Sequence, residues 1–538
     1  MKRLDRRTFA HATAGVLAGV VGMSLAHFTA ALLTPASSPA LAVGTAVIDA
    51  TPTPVKEWAV RELGHADKPI LIGSVLLATI AFAAVIGVVA RRRLGLGVVL
   101  IAVLVLIAGG AVVRQPSFEI GQLVPTAVAL LLGIATLVFL TRALRARSVL
   151  DHPVSKENVP VGTIPNRTID DETIPDRPGP DRREDARLSR RGVLVGFGAL
   201  TLVSAAAAAG GQLIVRSRTA LANISLPRVR KPLPALAKGL EETYAGISRF
   251  QTRSRDFYRV DTKLAIPIVD QNSWELKIDG DVDRELTFSY DDLRERENVE
   301  HDITLTCVSN EVGGKLVGAA RWTGVPLKEL LDEAGVGSRA DQILSTDVEG
   351  FTISTPLEAA LDGRNAMLAL GMNGEVLSRT HGFPARLVVP GLYGYVGATK
   401  WVTKLTLTRY DAATAYWTDR DWAIDAPIKL SSRIDTPRPL STIEPGRTVI
   451  GGVAWAQQTG VAKVEVRIDG GRWQPAKLGP DAGIDYWRQW YLPWDAEPGS
   501  HQLAVRVTDR DGTAQDTSRA TPFPDGSSGI QEVVVTVA

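Results

Sequence analysis

Asp302-Ile-Thr-Leu-Thr-Cys-Val-Ser-Asn310 is the stretch on which the reading of this chain turns, because it contains the single cysteine. Ile303, Leu305 and Cys307 alternate with Thr304, Thr306 and Val308, the two-residue period of a β-strand. Cys307 therefore falls on the apolar face, close to where the strand gives way to the Gly313-Gly314 turn. A lone cysteine forms no internal disulfide and builds no multi-cysteine zinc or iron–sulfur site. Three roles remain open to it: a small buried hydrophobe, a reactive thiolate, or the one protein ligand of a soft metal.

Outward from this strand, Cys307-Val-Ser-Asn310 is followed by Gly318-Ala-Ala-Arg-Trp-Thr-Gly-Val-Pro-Leu327. Then come His381-Gly-Phe-Pro-Ala-Arg-Leu-Val-Val-Pro-Gly391 and Lys400-Trp401. This ordered set resembles the sulfite oxidase family of molybdenum enzymes, from roughly Phe257 to the C-terminus. The resemblance implies that Cys307 binds molybdenum, whose other ligands come from a molybdopterin dithiolene and oxo groups. It implies that Cys307 and Trp422 are the catalytic residues. It also implies that Tyr258, Arg259, Asp261, Asn310, Asp347, His381, Arg386, Thr399 and Lys400 bind the cofactor together with Cys307. The residue types suit such a cofactor, since an Arg fork grips two phosphate oxygens at once, Lys acts as a point charge, and Gly391, Gly394 and Gly397 let backbone approach a ligand. Taken singly, His381 beside Gly382 also reads as a turn residue, and Arg386 as the partner of a surface carboxylate.

The chain departs from the family at three places. Glu311 and Val312 stand where sulfite-oxidising members carry an arginine shortly after the metal cysteine. Asp261 stands where a histidine follows the first cofactor arginine. In Tyr416-Trp-Thr-Asp-Arg-Asp-Trp422, Trp422 takes the place of the active-site tyrosine. An anionic substrate thus meets fewer cationic donors here.

With 538 residues, the chain is long enough for two or three domains. Its formal charge of +2 carries no basic field of the kind nucleic acid demands, so no nucleic-acid partner is expected. No Cys-x-x-Cys-His occurs, and His11 and His27 share one apolar run, so no haem is expected.

Apolar runs lie at about Phe9–Leu33, Ile70–Ala90, Leu94–Val113 and Leu123–Leu140, each near the ~20 residues that cross a bilayer. Arg91-Arg92-Arg93, and Arg142, Arg145 and Arg147, set the N-terminus and these arginines in the cytoplasm by the positive-inside rule. Asp5-Arg6-Arg7-Thr8-Phe9, with Ala40-Leu41-Ala42 beyond it, allows a cleaved export signal instead of a retained first helix. Residues 148–188 are rich in Pro and charge and read as a disordered cytoplasmic linker. Ser189-Arg-Arg-Gly-Val-Leu194 resembles a twin-arginine export signal, and it opens a fifth apolar run ending near Val215.

Beyond this run Trp274, Leu276 and Ile278 alternate up to Asp279-Gly280, and Val325–Gly335 reads as a short helix with Pro326 in its first turn. Strands and helices mix without βαβ alternation, which indicates an α+β domain. Towards the C-terminus Val464, Val466 and Ile468 precede Asp469-Gly470-Gly471, Leu503, Val505 and Val507 precede Asp511-Gly512, and Gln531–Val537 is a β-branched run. This spacing indicates an immunoglobulin-like β-sandwich. Gly452-Val-Ala-Trp-Ala456 and Trp487-Arg-Gln-Trp490 resemble the family's dimerisation domain, which implies a homodimer.

The expected organisation is multi-domain: a membrane domain of about four transmembrane α-helices (1–147), the linker (148–188), a fifth helix with the twin-arginine-like motif (189–216), an α+β sulfite-oxidase-like molybdopterin-binding domain (217–425) and the sandwich (426–538). The function it implies is oxygen-atom transfer on a small-molecule substrate. The catalytic domain would lie outside the cytoplasm, anchored to the cell membrane and linked to an external electron carrier. Reduction of sulfoxides or other S- or N-oxides, and a metal-free binding or scaffold role, are the alternatives.

Overall fold

The computed structural model describes residues 6–52, 55, 58–59, 62–63, 67–115, 118–150, 190–219, 224–260 and 263–538. Most of the linker, Ser189 and Asp261 lie outside the described residues, as do the side chains of Arg190 and Arg191. The chain divides into a helical unit within residues 1–217 and a second unit made chiefly of Arg218–Ala538.

In the helical unit, Arg7–Leu32, Lys68–Arg92, Leu94–Val113, Ile120–Ala146 and Val195–Val215 are long and apolar enough to cross a membrane, by length and composition. The first is the central one: Ala14, Ala18, Ala26 and Ala30 are fully buried. Small residues permit this closeness, since a Cβ on Gly15 would lie 2.1 Å from the Ala83 carbonyl oxygen. Three helix ends meet at one end of the bundle: Arg145 Nη2 donates to the carbonyls of Ala90 (2.7 Å) and Arg91 (3.0 Å), and Arg91 Nη1 donates to Thr8 Oγ1 (2.5 Å). The short apolar helix Pro39–Ala50 has no counterpart in the expected organisation; it occupies the stretch that reads as a cleavage region.

The second unit begins with one mixed and one antiparallel sheet. One runs in the order Leu286–Ser289, Glu275–Gly280, Val402–Thr408, Gln342–Asp347, Thr352–Pro356, with the second and third strands parallel. The other orders Val299–Thr306, Val317–Pro326, Met367–Met372 and Glu375–Val376, and Arg386–Val388 also pairs with Met367–Met372. The alternation around Ile303 is present, but both faces of that strand's end are buried: Thr304 and Thr306 lie inside as well as Ile303 and Leu305. The expected helix is Leu327–Ala334; Val325 and Pro326 belong to the preceding strand, and Pro326, its φ held at −54° by the ring, is also the helix N-cap.

The C-terminal part is two sheets around one core. Four strands (Ser431–Thr436, Gly446–Trp455, Arg488–Ala496, Lys477–Leu478) face five (Thr442–Ile443, Gln531–Val537, Gly499–Asp509, Val461–Ile468, Gln474–Pro475). Ile450, Val464, Trp490, Val505 and Val535 fill the space between at 0% exposure. This part is fused to the first: Val453, Trp455, Tyr486 and Trp487 belong to the same core as Phe250 and Leu305. Trp487 Nε1 donates to the Phe250 carbonyl (2.7 Å), and the Trp487 N–H to Thr304 Oγ1 (2.8 Å).

Gly324 sits at a register shift between Val317–Pro326 and Met367–Met372, and a Cβ there would lie 2.1 Å from the Leu368 carbonyl oxygen. Backbone cannot yield as a side-chain end can. Gly324→Ala is therefore expected to destabilise the second unit by ~1–3 kcal/mol or more, the range of overpacked cores, read as a lower thermal midpoint.

Candidate active site

Cys307 is the first residue past the Val299–Thr306 strand and is 8% exposed. Its N–H donates to the Leu316 carbonyl (2.9 Å), and its carbonyl accepts from the Asn310 N–H (3.0 Å). Asn310 Oδ1 accepts from the Leu316 N–H (2.8 Å), which closes the 307–316 loop around the sulfur. Burial pushes the thiol pKa up, against the opposing pull of hydrogen bonds at Ser309 and the charge of Lys400. A thiol this reluctant to ionise alone suits coordination, where a metal takes the proton's place.

Facing it is a cluster of positive charge. Gly382 adopts φ +110°, and a Cβ there would be 3.0 Å from Lys400 Cβ and 3.1 Å from Arg386 Cβ. Glycine at this point is what lets His381, Arg386 and Lys400 converge. Arg386 is 6% exposed, stacks over the Trp322 ring (5.0 Å) and donates to three backbone carbonyls at 3.2–3.5 Å. No carboxylate pairs with it among the described residues. Burial pulls the guanidinium pKa down to about 10. His381 Nε2 donates to the Ser254 carbonyl (2.8 Å). Its pKa is lowered to about 4, first by burial and then by Arg386, Lys400 and Arg259, so the ring is neutral at pH 7. A buried guanidinium beside further cationic side chains is best satisfied by an anion among them.

The other residues named from sequence fall in several places. Tyr258, stacked on Phe257 (5.2 Å), has its hydroxyl pKa raised by burial, with Cys307 adding to this and Arg386 opposing it, so it lies between the sulfur and the cations. Thr399 is buried, with its hydroxyl 2.5 Å from that of Ser345. Asp347 is occupied otherwise: Oδ1 accepts from the N–H groups of Glu349 and Phe351, and Oδ2 pairs with Lys263 at 3.0 Å. That pairing organises the turn beside Lys400-Trp401, where Trp401 is held at φ +52° and its indole donates to the Arg379 carbonyl (2.7 Å). Such a conformation is strained for a bulky residue and marks a functional constraint. Trp422 lies in an aromatic group with Tyr395 (5.6 Å), Trp417 (6.0 Å) and Phe523 (5.3 Å).

Three contributors carry no signal in the sequence pattern. Trp322, which underlies Arg386, lies inside the Gly318–Leu327 block but reads there as a core strand residue. Tyr393 is buried, and its hydroxyl is pushed up to about 12 by that burial, with Asp525 and Cys307 adding to the effect. Ser527 donates to the Asn310 carbonyl (2.6 Å) from more than 200 residues away, a tie that no local pattern signals.

Two atoms near Cys307 test the fit to a molybdopterin. Thr306 Oγ1 is buried without a hydrogen-bond partner, and Arg386 is a buried cation without a carboxylate. Both want polar or anionic groups from elsewhere, as a phosphate-bearing, polar cofactor would supply. Among the described residues no group of three or more His, Cys, Asp or Glu could hold a metal ion.

Comparison with known proteins finds the following similarities. A family model described as "Oxidoreductase molybdopterin binding domain" matches residues 263–417. Sulfite oxidase from Gallus gallus is 28% identical over 345 residues, covering 54% of this chain and 73% of that protein. The mitochondrial sulfite oxidase of Homo sapiens is 29% identical over 289 residues, 45% of this chain; the chain spans about half of that relative, 53%. Among solved structures, the sulfane dehydrogenase SoxCD from Paracoccus pantotrophus shares 25% identity with a TM-score of 0.47, over 54% of this chain and 83% of that one.

The histidine sets a pH dependence. Between its folded pKa of about 4 and the ordinary 6.5, the unfolded chain holds more protons at His381 than the folded one. Stability is therefore expected to fall as pH drops through that window, by ~3 kcal/mol for this group. Urea midpoints of cofactor-free protein at pH 7 and pH 4.5 would show the loss, and His381→Gln should flatten it.

Proposed function

We propose that this chain is a membrane-anchored, molybdenum-dependent enzyme of two-electron oxygen-atom transfer of the sulfite oxidase type, its catalytic domain outside the cytoplasm; the molybdopterin-binding-domain match over residues 263–417 and the similarity to sulfite oxidases support this reading. The observation that carries the reading is Arg386, a buried guanidinium over the Trp322 ring whose hydrogen bonds go to backbone carbonyls, with no carboxylate partner among the described residues. A metal-free scaffold has no use for such a charge. When bound, a molybdenum cofactor supplies the change of oxidation state that accompanies oxygen transfer. The chain's own residues do the rest. Cys307 would hold the metal. Arg386, Arg259 and Lys400 would grip the cofactor's phosphate, and Tyr258, Thr399 and neutral His381 its polar ring.

Sulfite itself is not the favoured substrate, since Glu311 is an exposed carboxylate where an anion-binding arginine would stand. Electrons would pass to or from a separate carrier. The C-terminal sheets would form the immunoglobulin-type unit through which two copies pair.

Several features support a retained anchor with its N-terminus inside. Thr8, Arg91 and Arg145 share one end of the bundle, so the charges that obey the positive-inside rule are together. The first helix is the bundle's buried centre, and its removal would expose alanine-lined grooves. Five spans then place residues beyond Arg216 outside.

Purified protein from molybdenum-replete cells is expected to hold about one molybdenum and one pterin per chain. Cys307→Ser should abolish turnover and alter the metal spectrum without unfolding the protein, because an alkoxide is harder and more basic than a thiolate. Wild-type turnover and spectrum in a stable Ser variant would remove the assignment.

Topology has a separate test. Protease added to spheroplasts is expected to digest the C-terminal domains and spare residues 148–188. Arg190→Lys with Arg191→Lys should block export while leaving the first four spans inserted, since lysine satisfies charge but not paired-arginine recognition. Normal export of that variant would reduce the motif to an ordinary topology signal.

A further inference from the structure

Between the last apolar helix and the first sheet, residues 216–238 hold six basic residues and no acidic one. The helix Val195–Val215 is long and apolar enough to cross a membrane, so the basic run begins where the apolar stretch ends. Lysine and arginine within about 15–20 residues of a span are expected on the cytoplasmic side. On the proposed topology these lie on the opposite side, where orienting the helix gives them no role.

Residues 224–238 form a strap fixed to the surface of the second unit. Arg294 Nη1 donates to Ser225 Oγ (2.9 Å), and Val229 bridges to Asn298. Leu233 is held through both of its backbone groups: its N–H donates to Glu300 Oε2 (2.8 Å), and its carbonyl accepts from Arg321 Nη1 (3.3 Å). Ile224 and Leu236 pack against the core, and Pro227 is buried. Pro227, Pro232 and Pro234 each fix their own φ. The strap's backbone is therefore set before any partner arrives, and little ordering entropy is lost on binding.

Its outer side is charged. Arg228, Arg230, Lys231 and Lys238 are exposed, and Leu233 stands among them at 37% exposure. The side chains of Arg228 and Lys231 make no ion pair among the described residues. Arg230 pairs with Glu297, and Lys238 with Glu242 (3.3 Å), but both pairs lie in open solvent, where such pairs are weak and exchange readily. The acids beneath the strap are committed elsewhere, Glu300 to the Leu233 N–H and Asp302 to Arg321 (2.8 Å). The cations are strung along one extended segment instead of ringing a pocket, which suits a surface bearing many phosphates better than one bound anion. Chain length favours the bilayer as that surface. Arg228 is thirteen residues past Val215, at most about 45 Å of chain, so the membrane that holds the helix is always within reach.

We propose that residues 228–238 dock the catalytic domain on the anionic surface of the bilayer that holds the preceding helix. Arg228, Arg230, Lys231 and Lys238 meet lipid phosphates, and Leu233 enters the headgroup layer between them. The domain is then held in one orientation instead of swinging on its tether. This rests on the reading that the chain is membrane-anchored, and it is independent of the molybdenum chemistry.

The chain's own cysteine is buried, so Ala235→Cys, at an exposed position beside the cations, offers a selective labelling point. The full-length protein is labelled there with an environment-sensitive dye and reconstituted in lipid nanodiscs. In discs containing about one-third phosphatidylglycerol, the dye is expected to shift to the blue and to be quenched by headgroup-labelled lipid. It should stay water-like in phosphatidylcholine discs, and in either lipid at ~1 M salt, where the screening length falls to ~3 Å. Arg228→Gln with Lys231→Gln should lower the ratio of docked to undocked domain about thirtyfold, the worth of two such charges at ~1 kcal/mol each. Both side chains are exposed and unpaired, so the thermal midpoint should hold. A dye that is water-like in both lipids would overturn the docking and leave the basic run to an acidic protein. Equal quenching in both lipids, or quenching unchanged in the double variant, would overturn it as well. Retention of the protein in carbonate-washed membranes checks the anchor separately. Its loss from them would overturn the anchor reading and the docking with it, whereas an undocked dye on retained protein overturns the docking alone.

Discussion

The cost of burying Arg386 is the constraint around which the site is organised. A guanidinium removed from water is tolerable only with strong partners, and backbone carbonyls at 3.2–3.5 Å are weak ones. The face of Trp322 helps, since a desolvated cation over an indole gains ~2 kcal/mol. It does not replace an anion. Other features accompany that charge: the left-handed Gly382, the strained Trp401, and a His381 held neutral first by burial and then by its cationic neighbours. A fold that concentrates positive charge so close to a buried thiol is built for a ligand that is anionic at one end and soft-metal-bearing at the other.

Much of the fold was legible because the signals are local. Gln531–Val537 is a strand with the residues that its β-branched run indicated, and Glu275–Gly280 ends at the glycine where a turn was expected. The long apolar helices were equally plain, since runs of about twenty apolar residues allow few alternatives to helix. The helix at Leu327 was displaced by two residues because Val325 and Pro326 pair with Met367 and Leu368, a tertiary preference that overrides the helical pattern. Pro39–Ala50 was missed because a short apolar helix and a small-residue cleavage region share one composition.

The site was legible only in part, for a different reason. Cys307, His381 and Arg386 lie in a recognisable order, and the structure does bring them near Tyr258. Asp347 was read as a cofactor contact from its place in that order, yet its carboxylate is engaged by Lys263 and by two backbone N–H groups. Its influence on the site runs through the backbone: the Val348 N–H donates to the Trp401 carbonyl (3.0 Å). Tyr393 and Ser527 gave no signal, because their importance comes from which distant segment they meet. Spacing reveals residue type and face; it does not reveal a neighbour far along the chain.

That long-range closure bears on how the protein is made. The 307–316 loop is held not only by its own turn but by Arg433, whose Nη1 donates to the Gly314 carbonyl (2.7 Å), and by Gln531, against which Gly313 packs closely. Both residues belong to the C-terminal sheets, so the cysteine loop reaches its final form only after the last strand of the chain has folded. A cofactor that depends on this loop must therefore enter a nearly complete domain. On the proposed topology, that domain then lies across the membrane from where its cofactor is assembled. On that proposal a transport route that accepts folded cargo would resolve the conflict, and the paired arginines open Arg190–Thr219, the last of the described helices long and apolar enough to cross a membrane.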